Sequence, residues 1–331
     1  MQHTFLGKTG MKVSRLCLGT MNFACQTSKQ DCFRMMDEAL DMGINFFDTA
    51  DAYGAGLEDR GGAEKIIGSW LAQGGGRRDA VIIAAKVFGH CAAFYDRHEE
   101  NSATDGLSRY KILKHCEGTL KRLQTDHLEI FQMHHIDHNC SHQEMWEAMD
   151  ILQKQGKIVY VGSSNFAGWD IAECCMTAKL LNKQGLASEQ SLYNLNNRML
   201  ELEVVPACRK FGMGLIIYSP LAGGLLGGSP KKQKAGRRTS ERQQQARSKN
   251  RNKIERFEKL CADLGQSPAN IALAWLLHNP VVTAPIIGPR TVEQLKENKQ
   301  APEIILSEET LKELDEIFPG PGGEAPKAYT W

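Results

Sequence analysis

Eight short apolar runs recur along the 331-residue chain, and a stretch with helical spacing separates each from the next. The runs are RLCLGTM (15–21), INFFDTA (44–50), AVIIAAKV (80–87), LEIFQMHH (128–135), KIVYVGSS (157–164), LASEQSLY (186–193), GLIIYSP (214–220) and TAPIIGP (283–289). Between them lie segments such as SKQDCFRMMDEAL (28–40), RYKILKHCEGTLKRLQ (109–124) and HQEMWEAMDILQKQ (142–155), whose apolar residues return every three or four positions. Strand and helix alternating eight times without a break in composition predict an α/β fold, a closed (β/α)8 TIM barrel, rather than an open doubly wound sheet. Gly54-Ala55-Gly56 begins a glycine-rich phosphate loop, but Asp59 stands where its third glycine belongs. Outside the eight units, TFLGKTGMKVSRL (4–16) reads as an N-terminal β-hairpin over the barrel floor. The tail ILSEETLKELDEIF (305–318) reads as an extra C-terminal helix that begins at Ser307. Residues 1–331 are thus expected to form a single barrel domain, carrying a basic flexible loop insertion at 228–252.

That insertion dominates the charge map. The chain has 40 basic and 39 acidic residues, a net charge of +1. Residues 231–253 hold ten Lys/Arg and one Glu, or +9, so the rest of the chain carries 30 − 38 = −8. The net charge itself predicts nothing about nucleic acid; the basic, apolar-poor stretch on a mildly acidic body reads either as a passive flexible face or as a segment that folds over an anionic cofactor or steers anionic substrates to the mouth. The apolar run IALAWLL (271–277) is too short to span a bilayer, and the opening MQHTFLGKTGMKV lacks a signal-peptide core. No nucleic acid, no membrane and a cytoplasmic location are expected, with the oligomeric state left open. Ten cysteines at irregular spacings, with no C-x-x-C, read as free thiols.

The stretch FQMHHIDHNCSH (131–142) places His134, His135, His138, Cys140 and His142 within twelve residues, a set of metal-ligand types. Strand alternation gives a different reading. Leu128, Ile130, Gln132 and His134 share one face, so His134 caps an inward row at the barrel mouth, where such folds keep their active sites. Asp48 follows Ile44 and Phe46 in the same way, and Lys86 follows Ile82 and Ala84. An Asp and a Lys on neighbouring strands satisfy one another, and Tyr53 lies five residues past Asp48 in the following loop. In this constellation the Lys86 ammonium is expected to lower the phenol pKa of Tyr53 by ~1–3 units, making it a usable acid. Asp48 keeps Lys86 charged, and His134 holds a substrate oxygen. No metal is expected, because no carboxylate–histidine helix motif accompanies the histidines; a metal site and a purely structural His134 are the competing readings.

DTADAYG (48–54), AAKV (84–87), FQMHHID (131–137), VGSSNF (161–166), EQSLYN (189–194), YSPLAGGLL (218–226) and IIGPRTVEQLKEN (286–298) together resemble the aldo-keto reductase superfamily, nearly end to end. The resemblance implies a (β/α)8 barrel that binds NADP(H) in extended form and passes hydride to a small-molecule aldehyde or ketone, with Tyr53 as proton donor. It assigns Asp48, Tyr53, Lys86 and His134 to catalysis. Its cofactor positions carry over to Gly19, Thr20 and Met21, and to Ser164, Asn165 and Gln190 around the nicotinamide carboxamide. Tyr218 carries over as the platform under the nicotinamide ring, followed by Ser219, Pro220, Leu221, Gly223 and Leu225 along the pyrophosphate. Gly288, Arg290, Gln294 and Asn298 correspond to the adenosine and 2′-phosphate end. Arg290 precedes the helical segment TVEQLKENK, whose N-terminus favours an anion. His127 and Glu129 depart from the family's more usual Tyr and Asp. The runs MHHID and SEQSLYNL resemble a bacterial branch that includes deoxysugar-nucleotide reductases, which makes a nucleotide-linked deoxy-ketosugar an alternative substrate. The superfamily also includes β-subunits of voltage-gated potassium channels, so an NADP-binding regulatory subunit is a further alternative. Met21, Phe88, Tyr95 and His135 are expected, from position alone, to shape the substrate pocket.

Overall fold

Each of the eight apolar runs forms one strand. In the computed structural model, which describes residues 1–55, 59–87, 106–228 and 241–325, the strands are β3 (Cys17–Gly19), β4 (Phe46–Asp48), β5 (Ile82–Val87), β6 (Leu128–Met133), β7 (Ile158–Ser164), β8 (Ser188–Leu192), β9 (Gly214–Tyr218) and β10 (Val282–Ile287). They pair in parallel and close into a barrel in the order β10-β3-β4-β5-β6-β7-β8-β9. The (β/α)8 barrel expected from the alternation is therefore what the chain adopts. Residues 56–58, 88–105, 229–240 and 326–331, and with them Phe88 and Tyr95, lie outside the described residues.

The N-terminal hairpin is also present. β1 (His3–Phe5) and β2 (Lys12–Ser14) pair antiparallel, with Thr4 opposite Val13, and the Leu6 amide donates to Met11 O across the turn at 2.9 Å. Leu6 and Val13 are fully buried and pack with Cys17, Phe46, Ala84, Ile130, Ile216 and Ala284, the apolar lower interior of the barrel. Gly7 fits this contact because it has φ +53° and no side chain; a Cβ there would lie 2.5 Å from Gly212 O. The hairpin thus plugs the floor, and the polar chemistry is left to the opposite end.

Around the barrel run α1 (Lys29–Asp41), α2 (Gly62–Leu71), a short α3 (Arg77–Ala80), α4 (Arg109–Leu123), α5 (His142–Lys154), α6 (Gly168–Leu180), α7 (Val204–Phe211), α8 (Glu241–Lys249), α9 (Arg251–Asp263), α10 (Pro268–His278), α11 (Val292–Asn298) and the extra C-terminal α12 (Glu308–Ile317). Serine caps set several starts: Ser28, Ser108, Ser141 and Ser307 accept the amides of Asp31, Lys111, Glu144 and Thr310. The second core lies between strands and helices, where Phe47, Trp70, Ile83, Phe131 and Trp146 are buried. Of the basic insertion, residues 241–252 form α8 and the start of α9; their Glu, Gln, Ala and Arg are good helix formers. Arg247 there donates from Nη2 to both carboxylate oxygens of Glu258, each at 2.8 Å. The nine described cysteines are unpaired, and no helix among the described residues is long and apolar enough to cross a membrane.

Candidate active site

β4 and β5 lie side by side, and their mouth ends carry Asp48 and Lys86. The Lys86 side chain is fully buried and Asp48 is 2 % exposed. Lys86 Nζ donates to Asp48 Oδ1 and Oδ2 at 2.8 and 2.7 Å, to Thr49 O at 3.0 Å and to the Tyr53 hydroxyl at 3.2 Å. Tyr53 reaches this point because the chain turns just beyond β4. Its amide donates to Ala50 O (3.1 Å), and its carbonyl accepts from Ala63 at the start of α2 (3.1 Å). The His134 amide donates to Val87 O at 3.0 Å, and the His134 ring meets the Tyr53 ring edge-on, centroids 6.1 Å apart. Asp48, Tyr53, Lys86 and His134 are therefore brought together at the mouth.

Electrostatics in this cluster correct one sequence expectation. The pKa of Tyr53 is raised above the ordinary phenol value, not lowered. Burial is the larger cause; Lys86 pulls the other way, and Asp48 adds to the rise. The physical reason is that taking the phenol out of water disfavours its anion by more than the Lys86 ammonium favours it, and Asp48 offsets part of that attraction. Lys86 itself is disfavoured as a cation by burial, yet Asp48 and Tyr53 outweigh this and hold it up at about 12. His134 is pushed well below the usual histidine value by burial, then by Lys86 and His135, and so is neutral at pH 7. The site thus presents a protonated phenol, a fixed ammonium and a neutral imidazole.

A polar chain extends from this cluster across the mouth. Gln190, at 2 % exposure, donates Nε2 to Asp48 Oδ1 at 2.7 Å. Asn165, which takes the left-handed conformation (φ +60°), donates Nδ2 to His134 O (3.1 Å) and to Ser164 Oγ (3.0 Å). Its Oδ1 accepts from the Tyr218 hydroxyl at 2.8 Å. Ser164, Asn165, Gln190 and Tyr218 therefore adjoin the four residues above. On the other side, Gly19 and Thr20 are buried at the end of β3, the Thr20 hydroxyl donates to Asp48 O at 2.9 Å, and Met21 is exposed at the rim. Beyond β9, Ser219 (φ +51°) accepts the Gly223 amide on Oγ at 3.1 Å, within a tight loop that includes buried Pro220, half-buried Leu221 and buried Leu225.

The remaining positions run from just before α11 to its last residue, Asn298. Gly288 O accepts from Asn22 at 3.0 Å, the Arg290 amide donates to Gln294 Oε1 at 2.9 Å, and Thr291 Oγ1 accepts the Gln294 amide at 3.3 Å. Asn298 is buried. Arg290 borders a surface cavity of about 520 Å³ whose other walls include Asp31, Arg34, Asp37, Glu38 and Glu293. Arg290 thus lies at a concave surface, among acidic neighbours.

The histidine-rich stretch disperses. His135 stacks on His134 with centroids 5.2 Å apart, His138 stacks on the exposed Trp169 at 5.5 Å, Cys140 donates to Leu107 O and His142 opens α5 facing Glu173. Among the described residues no group of three or more His, Cys, Asp or Glu is arranged to hold a metal ion. Three buried ionic features had no counterpart in the sequence reading. Asp51 pairs with His115, Glu64 pairs with Arg122, and Glu189 is enclosed by hydroxyls and an amide. Burial raises the pKa values of Glu64 and Glu189 to about 7. The available signal was a Glu inside an otherwise apolar or small-residue run, AEKIIGSW and LASEQSLY.

The sequence profile of the Aldo/keto reductase family matches residues 15–318. The chain belongs to this family. An uncharacterized oxidoreductase, YrpG, of Bacillus subtilis is 53% identical over 331 residues, all of both chains. A putative aryl-alcohol dehydrogenase, C977.14c, of Schizosaccharomyces pombe is 32% identical, covering 95% of this chain and 94% of that one. A putative aryl-alcohol dehydrogenase, AAD16, of Saccharomyces cerevisiae is 29% identical, covering 95% and 96%. This aldo/keto reductase is accordingly an oxidoreductase, and its specific chemistry has to come from the mouth of the barrel.

Proposed function

We propose that this aldo/keto reductase is an NADPH-dependent carbonyl reductase in which Tyr53 protonates the substrate oxygen. The observation that carries the reading is Lys86 Nζ, which bonds the Asp48 carboxylate at 2.7–2.8 Å and the Tyr53 hydroxyl at 3.2 Å. NADPH, when bound, supplies the hydride. Tyr53 remains a protonated phenol at neutral pH and gives its proton to the oxygen on which charge develops. The phenolate left behind sits beside the Lys86 ammonium, which Asp48 keeps in place and charged. Neutral His134 is at hand to hold the carbonyl oxygen and orient it toward Tyr53.

The residues on the cofactor side fit an amide-bearing aromatic ring. Asn165 and Ser219 hold left-handed backbone that costs a non-glycine residue free energy. The bonds from Asn165 to His134 and Tyr218, and from Ser219 to Gly223, maintain that shape. The result is a polar cradle of Ser164, Asn165 and Gln190 beside the partly exposed Tyr218, suited to a nicotinamide carboxamide and ring. Arg290 supplies a cation for the 2′-phosphate end.

The names of the two yeast relatives favour aryl aldehydes and the corresponding alcohols as substrates. The test is NADPH oxidation at saturating cofactor with aryl aldehydes, aliphatic aldehydes and nucleotide-linked ketosugars. Turnover is expected with aryl aldehydes. Turnover with ketosugars alone would reassign the substrate, and tight NADPH binding with no turnover on any of them would contradict the catalytic reading.

A further inference from the structure

Ser164 and Gln190 face the barrel mouth from β7 and β8, so strand alternation turns their neighbours Ser163, Glu189 and Ser191 to the opposite side, toward α6 and α7. Glu189 is fully buried there. Its Oε2 accepts from Ser163 Oγ; its Oε1 accepts from Ser191 Oγ at 2.6 Å and from the Phe166 amide at 3.2 Å. One carboxylate thus grips the chain directly before Ser164, directly after Asn165 and directly after Gln190. The Asn165 amide also donates to Gln190 O at 3.1 Å, which closes the two segments into one unit.

The arrangement is costly as a pure packing device. No Lys, Arg or His forms an ion pair with Glu189 among the described residues, and its donors are neutral. Burial raises its pKa to about 7, against the opposing effect of the Ser163 and Ser191 bonds. Nearby side chains on the helices include the buried thiols Cys174 of α6 and Cys208 of α7, neither of which offsets a negative charge. An apolar residue would fill this position more favourably, as it does at Ile217 of β9 and Phe131 of β6. What the carboxylate adds is geometry: it accepts from three points of the backbone and side chains at once, and so holds Asn165 in its left-handed turn.

We propose that Glu189 is a positioning residue that, through Ser163, Ser191 and the Phe166 amide, sets Ser164, Asn165 and Gln190 in the geometry that receives a nicotinamide carboxamide. The inference rests on the cofactor reading given above. Glu189 bonds Ser163, Ser191 and the Phe166 amide rather than Asp48, Lys86 or Tyr53, so its loss should appear chiefly in binding of the nicotinamide end.

The test uses the full-length enzyme with Glu189→Gln, which keeps the shape but presents an NH2 where one hydroxyl or the amide now donates. Affinity is measured by fluorescence titration for NADPH and for 2′-phospho-ADP-ribose, which lacks the nicotinamide, with kcat taken at saturating NADPH. Loss of one or two such bonds is expected to raise the Kd for NADPH about 10-fold. The Kd for 2′-phospho-ADP-ribose should stay unchanged, and kcat within about 3-fold, since Asp48, Lys86 and Tyr53 are untouched. Ser191→Ala, a milder change that removes one donor, should weaken NADPH alone by roughly 3-fold and serves if Glu189→Gln does not fold. Equal weakening of both ligands, or no change in either, would overturn the positioning role. If the wild-type enzyme binds both ligands but NADPH no more tightly than 2′-phospho-ADP-ribose, the carboxamide pocket itself is wrong. If it binds neither, the cofactor reading fails and this inference with it.

Discussion

Replacing Lys86 by Met separates what the buried ion pair does for stability from what it does for chemistry. Lys86 is fully buried, and its ammonium makes two bonds to Asp48, one to Thr49 O and one to Tyr53. Lys86→Met leaves Asp48 as a buried carboxylate with Gln190 Nε2 at 2.7 Å as its remaining side-chain donor. Removing one member of a buried pair typically costs about 3–5 kcal/mol, because the other charge is left uncompensated. Asp48→Asn strands the ammonium in the same way and should cost a similar amount. The double variant Asp48→Asn/Lys86→Met buries no charge, so its loss should fall short of the sum of the singles by at least ~2 kcal/mol. Turnover, in contrast, should not return. Without the ammonium beside Tyr53 the phenolate has no counter-charge, and kcat should stay down at least ~10²-fold in every variant lacking Lys86. Urea midpoints for the four proteins give the stability cycle, and NADPH oxidation with an aryl aldehyde gives the rates. Additive stability losses would refute the coupled pair, and wild-type turnover in the double variant would remove Lys86 from the chemistry.

Two further expectations follow from the same geometry. The active form needs a protonated Tyr53, lost as pH rises through its raised pKa, and a neutral His134, lost as pH falls through its depressed pKa. The value of kcat/KM for reduction should therefore be level between about pH 7 and 9, with the alkaline fall above the ordinary phenol value of about 10; a fall centred near pH 8 that disappears in Tyr53→Phe would mean a far more acidic phenol. Arg290→Ala should weaken NADPH by roughly 1.5–3 kcal/mol while leaving NADH nearly unchanged, measured as separate dissociation constants. Equal losses for both would assign Arg290 to its acidic neighbours Asp31 and Glu38 rather than to a phosphate.

The barrel was legible because its signal is local and repeated. Runs such as AVIIAAKV and GLIIYSP have strand length and β-branched content, and each became one strand of the closed sheet. Period-two alternation also put Asp48, Lys86 and Gln132 on the inward rows, so the central cluster could be assembled before any coordinates. What stayed hidden depends on depth and on contacts between distant segments. The sequence shows a cation near Tyr53, but not that burial of the phenol outweighs it, so the net sign of the phenol shift came out reversed. Glu64, which the sequence reading did not single out, is fully buried against Arg122, 58 positions away in the chain. Gln190 reads as a cofactor contact, and its bond to Asp48 spans 142 positions. Of the five ligand-type residues of 131–142, His134 and His135 stay stacked together, whereas the following loop and helix start point His138, Cys140 and His142 elsewhere.

The most direct measurement is the single-turnover rate of hydride transfer from NADPH to an aryl aldehyde in Tyr53→Phe, alongside the Kd for NADPH. The ring and its edge-on packing against His134 persist in Phe, and only the proton donor is lost. The expected result is a rate at least ~10²-fold below wild type with NADPH affinity nearly intact. A wild-type rate with that affinity preserved would mean that some other group delivers the proton.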